Sequence, residues 1–178
     1  MRYHLSIVVT GSVACGVALA VGLALPPAPG AVETAANHCS AQEQTLFNCS
    51  TGKKVVSVCA TQDLSADAGS VQYRYGRPGA PELVYPTTAA GWRKLTHSGV
   101  LTFAGGGGAY LTFTNGPYRY VVYTAIGRGW GEKAGVVVEK NGKRVASLPC
   151  KGKETSELGP DFFAKAGLAE DTAGFNLP

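Results

Sequence analysis

Histidine is scarce in this chain of 178 residues. Of three histidines, His4 lies in an apolar N-terminal stretch. A Ser–His–Asp site would have to use His38 or His97, and no Gly-x-Ser-x-Gly elbow holds out a serine. Metal spacing is missing as well: there is no Cys-x-x-Cys, and His38 and His97 are poorly placed for zinc, so no metal is expected. The glycine run Gly105–Gly108 lacks the Gly-Lys-Ser/Thr of a phosphate-binding loop and no helix follows it, so no cofactor is expected. Charged residues make up only 16% of the chain, with a net charge of +4. The lysines and arginines are scattered, not gathered into a stripe, so nucleic acid is not an expected partner. Helical periodicity is absent before Cys150. The acids Glu132, Glu139, Asp161, Glu170 and Asp171 could supply a carboxylate pair, but nothing singles out two of them. No enzyme is expected.

What is present begins with an export signal. Arg2 and His4 precede an apolar run from Leu5 to Leu25, which Pro26, Pro27 and Pro29 then break. Residues 1–36 read as a signal peptide cleaved after Ala36; an uncleaved membrane anchor is the alternative, since the run is long enough to span. The expected location is periplasmic or secreted. Removing the leader discards Cys15 and leaves Cys39, Cys49, Cys59 and Cys150. An even number in an oxidising compartment points to two disulfides. Three pairings are open; the preferred one is Cys49–Cys150 with Cys39–Cys59. Closing a loop of roughly 100 residues is worth about 4–5 kcal/mol on the chain-entropy model.

Short strands dominate residues 37–150. Thr45–Cys49 and Lys54–Ala60 flank a turn at Ser50–Lys53, Val71–Gly76 alternates apolar and polar residues, Glu82–Tyr85 stops at Pro86, and Val100–Ala104 leads into the glycine run. Thr87–Ser98 reads as an irregular connection. Asn–Gly pairs predict two hairpins: Ala109–Thr114 to Tyr118–Ile126 across Asn115–Gly116, and Val136–Lys140 to Lys143–Leu148 across Asn141–Gly142. The expected fold class is all-β: a small antiparallel barrel of about eight strands, closed by a disulfide. Residues 151–178 form a tail with a short helix, Asp161–Ala166, stopped by Gly167. Phe162, Phe163, Leu168 and Phe175 call for burial, so the tail is expected to pack back on the barrel. Trp92, Trp130 and the tyrosines offer stacking surfaces for a glycan or lipid.

The order of features from Phe47 to Cys150 resembles the periplasmic and membrane-bound inhibitors of C-type lysozyme. The family's aromatic–x–Cys–x–Gly–Lys segment is similar to Phe47–Lys53, with one residue inserted before the glycine. Val56–Val58 and the aromatic strand Val71–Tyr75 have counterparts in it. Gly106–Gly107–Gly108–Ala109–Tyr110 falls where the family has its inhibitory Ser-Gly-x-x-Tyr loop, Tyr118–Tyr123 resembles its aromatic strand, and Arg128–Gly129 resembles its Lys-Gly turn. The resemblance implies an eight-stranded barrel closed by Cys49–Cys150. It also implies a binding site on the loop Gly105–Tyr110, with Gly106, Gly107, Gly108 and Tyr110, aided by Arg128, and a lysozyme or other peptidoglycan hydrolase as partner; Trp130 is a candidate binding residue only as a stacking surface. Gly106 stands where the family has its inhibitory serine, the connection Thr124–Gly135 is longer, and positive charge opposes steering toward basic lysozymes. The non-inhibitory alternative is an envelope structural or glycan- or lipid-binding module.

Overall fold

The computed structural model describes residues 36–178, so the expected leader lies outside them except for Ala36. The described residues form ten strands in two separate antiparallel sheets. The N-terminal sheet holds β1 (Glu43–Ser50), β2 (Val55–Thr61), β3 (Val71–Arg77), β4 (Ala80–Tyr85) and the two-residue β10 (Thr155–Ser156), in the order β10-β1-β2-β3-β4. The C-terminal sheet is a meander of β5 (Thr96–Phe103), β6 (Gly106–Asn115), β7 (Tyr118–Gly127), β8 (Gly131–Lys140) and β9 (Lys143–Pro149). A 3-10 turn at Trp92–Lys94 leads into β5, and α1 (Pro160–Lys165) is the one α-helix among the described residues. No helix there is long and apolar enough to cross a membrane.

The all-β expectation holds, but no closed barrel is found. The period of two puts Phe47 and Cys49, Val56 and Val58, and Val71 and Tyr73 on one face of the N-terminal sheet. It puts Ala109, Leu111, Phe113, Val122 and Val136 on one face of the other. These residues make one buried cluster, so the two sheets share a core face to face. A barrel would need ladders along both flanks. On one flank the chain leaves β9 and crosses to the N-terminal sheet, where the Lys151 amide donates to the Ser50 carbonyl. On the other, β4 reaches the C-terminal sheet through a side chain, the Tyr85 hydroxyl donating to the Thr114 carbonyl at 2.6 Å.

Both disulfides of the preferred pairing are present. Cys49–Cys150 joins β1 to the residue just after β9, so it pins one sheet to the other. Cys39–Cys59 fastens the N-terminal segment to the opposite, outer face of the N-terminal sheet. There the His38 amide donates to Ser57 Oγ, the Asn48 amide group to the Ala36 carbonyl, and Arg74 to both His38 O and the Glu43 carboxylate.

The second hairpin turns at Asn141–Gly142 as expected: both residues have positive φ, 51° and 73°, and Lys140 pairs with Lys143. The first turns one residue later. Asn115 pairs with Tyr118, so the loop is Gly116–Pro117. Proline fixes φ near −65°, which excludes a type I′ turn and leaves Gly116 alone at φ 58°. Within the stretch expected to be irregular, Thr96–Ser98 already belongs to β5.

After β10 the chain forms α1, ended by Gly167 at φ 61°. Phe163 and Ala166 are buried in the shared core, with Phe162 and Leu168 packed against it. The final residues then cross the outer face of the C-terminal sheet, where Phe175 and Leu177 pack against Tyr110, Val121, Tyr123 and Val137.

Candidate binding surface

The predicted site residues divide into two groups. Gly106, Gly107 and Gly108 are not a loop. They form the start of β6, opposite Phe103, Thr102 and Leu101 on one side and Gly127, Ile126 and Ala125 on the other. The turn before them is Ala104–Gly105. A run of glycines has no side-chain period, so its strand state is imposed by the two neighbours that pair with it. Tyr110 is further along β6 and buried under the tail. Its hydroxyl donates to Asp171 Oδ2 at 3.1 Å; burial, then the Asp171 charge, pushes it up to about 12.

Gly106, Arg128 and Trp130 do come together, at one end of the C-terminal sheet. The β5–β6 and β7–β8 turns lie side by side there, the Arg128 amide donating to the Gly105 carbonyl at 2.9 Å. Arg128 is exposed and Trp130 is 40% exposed. The Trp130 ring folds back across Gly127, where a Cβ would lie 2.2 Å from the indole, so glycine at 127 is what lets the ring lie flat. Phe103 packs beside it with ring centroids 5.6 Å apart, and Lys133 Nζ sits 5.1 Å from the indole centroid. Phe103, Ala104, Trp130, Lys133, Leu177 and Pro178 line a cleft of about 480 Å³. Lys133 also donates to the Pro178 carbonyl at 3.0 Å, so the tail forms one wall.

On the inner side of the same end, a groove of about 310 Å³ runs between Gly107, Thr124 and Ile126 and the segment Leu158–Pro160, with Glu132 and Glu154 on its rim. Ile126, on the wall of this groove, is 58% exposed. Two depressions are larger, about 590 Å³ between β1 and α1 and about 610 Å³ along Arg119 and Arg144. In the second, Arg119 is committed to Glu139 and Asp171, and Arg144 to the Asn176 carbonyl. Neither presents an exposed tryptophan.

Trp92 and three of the seven described tyrosines are too buried to serve as stacking surfaces. Trp92 is 1% exposed, with its indole N–H donated to the Gly69 carbonyl at 2.9 Å, and Tyr73, Tyr110 and Tyr123 are buried. The two histidines lie apart, His38 by the N-terminal sheet and His97 on β5, and among the described residues no hydroxyl hydrogen-bonds either ring. The half-buried polar network of the outer face is one that the sequence did not announce. Arg119 bonds Glu139 at 2.6 Å, Asp171 at 2.5 Å and the Gly174 carbonyl at 2.9 Å. Its partners lie up to 55 residues away in sequence, beyond the reach of any local pattern. Among the described residues there is no cluster of three or more side chains fit to hold a metal.

Comparisons with protein-family models, curated proteins and solved structures return no match for this chain.

Proposed function

We propose that this protein is an exported, non-enzymatic binding module of a bacterial envelope, and that the Trp130 end of its C-terminal sheet takes a glycan. Two disulfides suit an oxidising location outside the cytoplasm; periplasm or secretion follows from the leader pattern. One observation carries the ligand class: an exposed indole paired with Phe103 and held on a strand end by the missing side chain of Gly127. Such a flat, pre-set aromatic face suits the apolar face of a sugar ring, with Lys133 and Arg128 beside it for hydroxyl or carboxylate groups. The two tryptophans make the test direct, because Trp92 is buried and only Trp130 can report contact. Titration with soluble peptidoglycan fragments and envelope polysaccharides should change the fluorescence of Trp130. In Trp130→Ala the affinity should fall about tenfold or more. Absence of glycan binding, or binding undiminished in Trp130→Ala, removes the reading.

A second reading rests on Arg128. Its exposed side chain lies alongside Gly105, with Nε 3.7 Å from where a Cβ there would stand, a basic group at the tip able to meet the paired catalytic carboxylates of a cleft. It keeps the inhibitor-like expectation but moves the contact from the Gly106–Gly108 backbone, which is engaged in strand pairing, to a side chain. Lysis assays with several lysozyme types should then show inhibition that Arg128→Glu abolishes. Lysis rates unchanged by the wild-type protein would exclude it.

A further inference from the structure

A row of open backbone groups on an uncharged edge strand points to a second copy of this chain. The described residues leave four strands at sheet edges: β4, β5, β9 and β10. Natural edges are blunted by proline, charge or shortness. β4 carries Pro81 and Glu82, β9 carries Lys143, Arg144 and Pro149, and β10 has two residues. β5, Thr-His-Ser-Gly-Val-Leu-Thr-Phe, has no proline, lysine, arginine, aspartate or glutamate. The chain's own tail covers this edge at one point. The Ser98 amide donates to the Ala169 carbonyl, and the Asp171 amide to the Ser98 carbonyl, as a parallel bridge to Glu170.

That bridge fixes the direction of the groups beyond it. Strand groups alternate, so the N–H and C=O of Val100 and Thr102 point the same way as those of Ser98, out of the sheet. The Leu101 carbonyl points inward, 3.1 Å from where a Cβ on Gly107 would stand. Val100 is 54% exposed and Thr102 is exposed, so nothing in the described fold covers them.

We infer that β5 pairs antiparallel with β5 of a second copy, about a two-fold axis at Leu101, joining two C-terminal sheets into one. In this register Val100 lies opposite Thr102 of the copy, and about four backbone hydrogen bonds form between outward-pointing groups. Charge selects this edge for self-pairing. Two β9 edges would bring Lys143 and Arg144 against their own copies and two β4 edges would bring Glu82 against itself, whereas β5 meets no like charge.

The test uses the full chain recovered after export. Sedimentation up to about 1 mM, the scale of a weak complex, should show the mass rising toward twice that of the monomer. Amide exchange at Val100 and Thr102 should slow with the same concentration dependence. Thr102→Pro removes an outward N–H without breaking the β5–β6 ladder, and Val100→Lys sets like charges together on an exposed site. Each should be monomeric with an unchanged circular dichroism spectrum, so a folding failure in one leaves the other to decide. A monomer at every concentration, or dimers that persist in the folded variants, overturns the inference. So does protection of these amides by an added peptide of the Gly99–Phe103 sequence while the chain itself stays monomeric.

Discussion

Glu43 shows how a single charged residue ties the N-terminal segment to its sheet. Burial works to raise its carboxyl. The hydrogen bonds from Arg74 and Ser40 outweigh burial and hold the carboxyl below the usual 4.5. A depressed carboxyl adds stability that is complete above its unfolded value and is lost as pH falls through the folded one. Wild-type protein should therefore lose stability progressively below about pH 4.5. In Glu43→Gln that acid limb should flatten, with neutral-pH stability lower by about 1–3 kcal/mol, read from urea midpoints across pH. Tyr110 gives the opposite limb. Its folded hydroxyl holds its proton up to about 12, against 10.0 for an ordinary tyrosine. The unfolded chain therefore binds fewer protons between those values, and stability falls as pH rises through them. Tyr110→Phe should soften this alkaline loss, since Tyr123, also raised by burial, remains. At neutral pH the lost bond to Asp171 should cost about 1 kcal/mol.

The tail is the element whose attachment depends most on particular contacts. Phe175 lies between Tyr110 and Tyr123, with centroids at 5.3 and 5.4 Å, and three cations hold backbone carbonyls along the crossing: Arg119 at Gly174, Arg144 at Asn176 and Lys133 at Pro178. Phe175→Ala should cost about 1–3 kcal/mol, below a fully buried aromatic because Phe175 is only partly buried. Its mark should be local: faster exchange of the Ser98 and Asp171 amides and easier tryptic cleavage after Lys165, with β1–β4 unaffected. Two parts of this element were legible in the sequence: the helix, expected over Asp161–Ala166 from proline, an acid and Gly167 and found one residue earlier, and the packing of Phe162, Phe163, Leu168 and Phe175 back on the sheets; the polar contacts that hold the tail were not. Local chemistry was legible elsewhere too. Asn141–Gly142 stated its own turn, and Val71–Gly76 its own alternation. Pro117 shifted the other hairpin by one residue, because a ring that fixes φ overrides the neighbouring Asn. Gly106–Gly108 gave no period to read, so strand and loop looked alike. Trp92 and Trp130 could not be told apart, since burial of one and exposure of the other depend on strands distant in sequence.

At the scale of the molecule, one disulfide holds two sheets that share a core yet have a backbone ladder on neither flank. Cys49–Cys150 spans 101 residues and Cys39–Cys59 spans 20. Both remove entropy from the unfolded chain, and the longer loop removes more, about 4–5 kcal/mol against about 3. Location widens the difference. Cys49 is fully buried in the shared core, so its loss also loosens the packing of one sheet on the other. Cys59 faces outward and fastens only the segment before β1. In urea, Cys49→Ala/Cys150→Ala should therefore unfold at a much lower midpoint than Cys39→Ala/Cys59→Ala. The second variant should keep the glycan response of Trp130, because that end of the C-terminal sheet does not touch the N-terminal segment's disulfide. A larger loss from the shorter loop would mean that the N-terminal strap, and not the clasp between the sheets, sets the stability of the fold.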